Sequence, residues 1–91
     1  RSAFGLTVAD LTDAQRREMK VRGGVRVEAA EGVGARVGLR AGDVILTLNN
    51  ADVADARQFA TLAAKADRSR PVSLMVRRGE WVNYIVIPAG R

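Results

Sequence analysis

The chain has 91 residues, a net charge of +5 and a hydrophobic content of 47%. That length suits one small domain. Its composition lies far from that of disordered chains, and charges break every apolar run short of the ~18 residues a membrane helix requires. Histidine and cysteine are both absent, which excludes disulfides, thiolate or imidazole metal sites, a cysteine nucleophile and any histidine-based triad.

Taken in chain order, Phe4 to Leu11 alternates with Leu6 and Val8 on one face and reads as a strand. Thr12 stands three residues before Gln15, the spacing of a capping box, so a short polar helix is expected from Asp13 to Met19. Gly23-Gly24 breaks the chain ahead of a second strand, Val25 to Ala30. Val33 to Val37 fits about one helical turn, closed by Gly38 as a left-handed cap. Val44 to Leu48 is an apolar run expected to form a buried strand, and Asn49-Asn50 supplies a tight turn. The longest helix is expected over Ala56 to Ala66, capped by Asp55, with Phe59, Leu62, Ala63 and Ala66 along one face. Pro71 bars its continuation. Val72 to Arg77 and Trp81 to Ile87 then read as two strands joined at Arg78-Gly79-Glu80. The sum is an α+β domain of about five antiparallel strands and two or three helices, spanning residues 1–91 as a single unit.

The chemistry that the sequence can carry is narrow. No serine lies in a G-x-S-x-G or G-N-S-G-G setting, and the carboxylates form no metal-binding spacing, so neither catalysis nor a cofactor is expected. The basic residues, Arg16, Arg17, Arg36, Arg40, Arg68, Arg70, Arg77 and Arg78 among them, are scattered. Only four aromatics accompany them, too few for base-stacking platforms, so the charge reads as a solvated surface and not as a nucleic-acid site. A chain that begins at Arg1 instead of Met is expected to be a segment excised from a longer protein.

One block is more specific. Gly38-Leu39-Arg40-Ala41-Gly42-Asp43-Val44-Ile45-Leu46 resembles the G-L-x-x-G-D-x-I-L segment of PDZ domains, and Asn49-Asn50, Val53 and the Phe59-bearing helix continue the likeness. Phe4-Gly5-Leu6 resembles that family's carboxylate-binding loop. The stretch from Leu6 to Thr12, the polar helix and Gly23-Gly24-Val25 are similar to the second, C-terminal PDZ domain of HtrA/Deg-type periplasmic serine proteases. The resemblance covers nearly the whole chain. It implies a partly open antiparallel β-barrel or sandwich in the permuted, bacterial strand order, with the protease domain upstream and outside this sequence.

It also implies a peptide-binding module in periplasmic protein quality control, capturing C-termini or extended segments of unfolded proteins by strand addition. The site residues it suggests are Ala3, Phe4, Gly5 and Leu6 for a terminal carboxylate, and Thr7, Val8 and Ala9 for the pairing strand. The groove helix would supply Phe59, Leu62, Ala63 and Ala66, with Leu62 mostly in the core and Phe59 and Ala63 nearer the groove. Glycine between two apolar residues permits the curl that makes backbone amides converge on an anion, so the amides around Phe4, Gly5 and Leu6 are the expected contact. Many animal members place a histidine at the start of the groove helix to select Ser or Thr in the ligand. Here that region reads Ala56, Arg57, Gln58, which points to an apolar terminal residue with loose demands further in. The other reading is an oligomerisation or regulatory module whose groove is idle, contacting further subunits of the parent protease. No membrane insertion is implied.

Overall fold

The computed structural model describes residues 3–67 and 69–89, so Arg68 lies outside the described residues. Six strands and three helices follow one another as β1 (Leu6–Asp10), α1 (Asp13–Met19), β2 (Val25–Ala30), α2 (Gly32–Arg36), β3 (Val44–Leu48), β4 (Ala51–Asp52), α3 (Ala56–Lys65), β5 (Val72–Arg78) and β6 (Trp81–Ile87). The strands make one antiparallel sheet in the order β1-β2-β3-β5-β6, with β4 attached to β3. The expected α+β architecture is present as an open sheet, with one strand more than about five. The addition is β4, two residues long and formed because Asn49 and Asn50 both adopt positive φ (51° and 69°) and reverse the chain. Asn49 also ties this turn to β5, accepting the Ser73 N–H through its side chain and donating its own N–H to the Ser73 carbonyl.

The helix signals read from sequence correspond to real caps. Thr12 accepts the Gln15 N–H at 3.0 Å while the Gln15 side chain accepts the Thr12 N–H at 2.9 Å, a complete capping box. Helix α1 buries no residue, and besides this box it is held by side chains of the sheet, Arg26 donating to the Gln15 side chain and Arg77 to the Met19 carbonyl. Helix α3 is the opposite case. Asp55 caps it at Gln58, and its apolar face carries Phe59 and Ala63 into the core, against Leu6, Val25, Val27, Ile45, Leu74 and Val76 from the sheet.

Asp43 is the buried charged residue among those described, with 2% of its surface exposed. Its carboxylate accepts the Arg40 N–H at 3.0 Å and a bidentate pair from Arg78, Nε at 2.8 Å and Nη2 at 2.7 Å. The same Nη2 donates to the Gly38 carbonyl at 2.9 Å. The Gly38–Asp43 segment is therefore pinned from β5, 35 residues away. Burial by itself pushes the Asp43 carboxyl up. The Arg78 hydrogen bond, the Arg40 amide and the charges of Arg78 and Arg40 outweigh it and hold the group below its ordinary 3.8.

A depressed folded-state value means the stabilisation is present above the unfolded carboxylate range and is lost as pH falls through the folded value. Arg78 is half-exposed, which keeps the interaction below the cost of breaking a fully buried pair. Asp43→Asn is expected to lower the unfolding free energy by about 2 kcal/mol at pH 7. Its gap to wild type should narrow progressively below about pH 4, and urea titrations across that range check both.

Candidate functional site

The segment Ala3 to Leu6 is a tight turn. Phe4 and Gly5 take φ of 57° and 75°, and the Leu6 N–H donates to the Ala3 carbonyl at 2.8 Å, closing a two-residue reversal of the type I′ kind. Two more bonds pin it to α2. The Phe4 carbonyl accepts the Gly34 N–H at 3.0 Å and the Gly5 carbonyl accepts the Glu31 N–H at 2.8 Å. Since a trans peptide points its C=O and the next N–H in opposite directions, the Gly5 amide is turned away from α2.

Two glycines make this packing possible. A Cβ on Gly5 would overlap the Glu31 carbonyl oxygen, and one on Gly34 would lie 2.6 Å from Leu6 Cδ2 and 2.8 Å from the Phe4 oxygen. Gly5 was legible in the sequence from its flanking apolar residues. Gly34 was not, because its role depends on a contact with a turn 30 positions earlier. The turn also corrects the sequence expectation that the Phe4, Gly5 and Leu6 amides converge together. The Leu6 N–H is spent on Ala3, because a two-residue reversal brings that carbonyl directly opposite it.

Strand β1 lies at one end of the sheet, paired to β2 alone among the named strands. The Leu6–Ala3 bond shows that the Leu6 backbone groups face the outer edge. In an extended strand those of Val8 face the same way, while Thr7 and Ala9 face β2. Strand β1 is also in contact with α3. The expected division of the helix face is reversed by burial. Phe59 and Ala63 are each 2% exposed and belong to the core, whereas Leu62 and Ala66 are half-buried at its margin. The cause is the rotation of α3, which the four-residue stripe alone does not determine. At the far end of the strand, Asp10 Oδ1 accepts the Ala56 N–H of the first turn of α3 at 2.7 Å. The arrangement is a slot between the outer edge of β1 and a helix, with the glycine turn, whose Ala3 pairs with Leu6, at one end and the Asp10–Ala56 hydrogen bond at the other. A separate cavity of about 500 Å³, lined by Val21, Leu46, Val53 and Met75 among others, involves neither β1 nor α3.

The family profile described as "PDZ domain" matches residues 24–78, more than half of the chain. The chain belongs to the PDZ family. It is thus a binding module and not itself a protease. Among curated proteins it is similar to a "Probable periplasmic serine endoprotease DegP-like" of Pseudomonas putida (strain W619), 40% identical over 83 residues, which cover 90% of this chain and 17% of the relative. The same description belongs to a relative from Hahella chejuensis (strain KCTC 2396), 40% identical over 81 residues, covering 86% of this chain and 17% of that protein. The chain thus spans about a sixth of the length of the curated relatives it matches.

Among solved structures, an HtrA-type protease, AlgW, with a decapeptide superposes with a TM-score of 0.78 at 26% identity, over 96% of this chain and 28% of that one. The HtrA3 PDZ domain bound to a phage-derived ligand, FGRWV, gives a TM-score of 0.78 at 23% identity, over 93% and 81% of the two chains, and supports the fold. The turn and β1 precede the matched residues 24–78, so their role rests on the geometry above.

Two substitutions separate the turn from the core. Gly5→Ala is expected to destabilise the domain by about 1–3 kcal/mol, through a strained positive φ and the collision with Glu31. Phe59→Ala should cost about 3–5 kcal/mol, the range for emptying a packed aromatic site. Denaturant titrations measure both, and a loss under 1 kcal/mol for Phe59→Ala would contradict its placement in the core.

Proposed function

We propose that this PDZ domain captures the C-termini or extended segments of unfolded proteins, which add as a strand to the outer edge of β1 beside α3. The observation that carries the reading is the outer edge of β1 at Val8, just past the Ala3–Leu6 pair, in contact with a helix and headed by a turn whose Gly5 amide points away from its supports. Main-chain pairing supplies affinity in this mode of recognition, and side-chain pockets supply selectivity. Leu62 and Ala66 give the slot an apolar, partly exposed margin suited to an apolar terminal residue. Ala56 offers only a methyl group at the start of α3, so no Ser or Thr requirement is expected further in. The solved AlgW and HtrA3 relatives are described with peptides bound, which supports the same role here. The curated relatives are named periplasmic serine endoproteases. We accordingly place this domain in the periplasm, serving an HtrA-like protease-chaperone in protein quality control.

A contact with other subunits of that parent protein is a second reading. It is favoured by the exposed apolar residues of edge strand β6, where Trp81, Val82, Tyr84 and Val86 are 77%, 49%, 62% and 53% exposed. Scattered apolar side chains are ordinary on a surface, but four within six positions of one strand are a patch.

Calorimetry with FGRWV as free acid and as C-terminal amide tests the first reading. A hydrogen bond to a charged group contributes about 1.5–3 kcal/mol, so amidation should weaken binding at least tenfold, about 1.4 kcal/mol. Equal affinities would show that the turn holds no carboxylate and would move the second reading to the front.

A further inference from the structure

We propose that β6 is the seam of a twofold dimer, in which the free edges of two copies pair antiparallel about Tyr84 to make one continuous sheet. The inference rests on the subunit-contact reading of β6 and deepens it, naming the partner as a second copy of this chain and the contact as main chain to main chain. Ser73 donates its N–H to the Asn49 side chain and accepts the Asn49 N–H at its carbonyl, both on the β3 side. Val86 lies directly opposite Ser73 on β6. It therefore receives no hydrogen bond from Ser73, and its own N–H and C=O face outward. Backbone direction alternates along an antiparallel strand, so Tyr84 and Val82 face outward as well. Among the described strands β6 is paired to β5 alone.

Exposed edges are ordinarily blunted by charge, proline, a bulge or shortness. Strand β6 runs seven residues from Trp81 to Ile87 without a charge or a proline, and its register with β5 is unbroken. The β1 edge, by contrast, is closed at Leu6 by Ala3 and carries Asp10. The outward groups of β6 are their own complement. A twofold axis at Tyr84 lets that residue exchange both bonds with its counterpart and lets Val82 do the same with Val86, about six hydrogen bonds in all. Trp81, 77% exposed, then lies across from Ile87 and diagonal to Ile85 of the second copy. Charge selects this direction. Antiparallel pairing sets the Arg77–Arg78 corners of the two copies about 20 Å apart along the seam, well past the ~8 Å Debye length. It also brings Glu80 of each copy to the end where the exposed Arg70 of the other stands, whose own pair with Asp67 is a loose 3.8 Å. A parallel pairing would stack the arginine corners. Because the seam consumes both β6 edges, the association closes at two copies.

Sedimentation equilibrium of the chain without peptide is the test. A monomer–dimer equilibrium with no larger species is expected. Val86→Pro removes one outward N–H and keeps an apolar side chain, so it should weaken dimerisation at least tenfold. Val86→Thr keeps that N–H and should stay within threefold of wild type. Register is read with cysteine, which the chain lacks. Under mild oxidation Tyr84→Cys should cross-link to itself, its two Cα atoms about 5.5 Å apart. Val82→Cys, about 14 Å along the seam from its own counterpart, should cross-link only to Val86→Cys. Dimerisation that survives Val86→Pro, or self-cross-linking of Val82→Cys in place of Tyr84→Cys, would overturn the proposed pairing while leaving a subunit contact at β6. A chain that stays monomeric at millimolar concentration would remove both. Growth beyond two copies would overturn the closed seam. Should Val86→Pro fail to fold, the cysteine cross-links decide the matter alone.

Discussion

The site depends on one backbone constraint. Two carbonyls of a four-residue turn, those of Phe4 and Gly5, are held by N–H groups of Glu31 and Gly34 at the start of α2. This bonding fixes the orientation of two successive peptide planes, and so decides where the turn's amides and the outer edge of β1 point. It requires close approach of main chain to main chain, which is why Gly5 and Gly34 stand where any side chain would collide. Leu6, fully buried directly after the turn, anchors it to the core. The turn is thus fixed from below by α2 and from behind by the sheet.

The remainder of the fold keeps that arrangement in register. Phe59 and Ala63 seat α3 on the sheet, and Asp10 ties the first turn of α3 to the end of β1. The slot is therefore bounded at both ends by hydrogen bonds and along its length by packing. At the end of β5, Arg78 clamps Asp43 and Gly38 and secures the chain between α2 and β3. Since α2 supports the turn, this remote ion pair also supports the site, through the segment that follows the helix.

The sequence revealed most of what is local. The Thr12–Gln15 box, the Asp55 cap, the Asn49-Asn50 reversal and the alternation of β1 and β5 are set by residues within a few positions of one another. Nearly every element stands where those signals place it. Features made by distant partners were hidden. The Asp10–Ala56 bond spans 46 positions and the Asp43–Arg78 pair 35, and neither residue type at one end names its partner at the other. The rotation of α3 was also illegible, because Phe59, Leu62, Ala63 and Ala66 fall within one arc of the helix. Only the packed sheet decides which of them it covers. The Leu6–Ala3 bond was missed for a subtler reason. A glycine between apolar residues predicts a curl, but not which amide the curl itself consumes.

Peptide binding at the outer edge of β1 is the central claim, and a ¹⁵N-resolved titration with FGRWV tests it most directly. Shifts are expected to concentrate at Gly5 and Val8 on one side of the slot and at Leu62 and Ala66 on the other, with β6 unmoved. Shifts confined to Trp81 through Val86, with the Gly5 and Val8 amides unchanged, would contradict it.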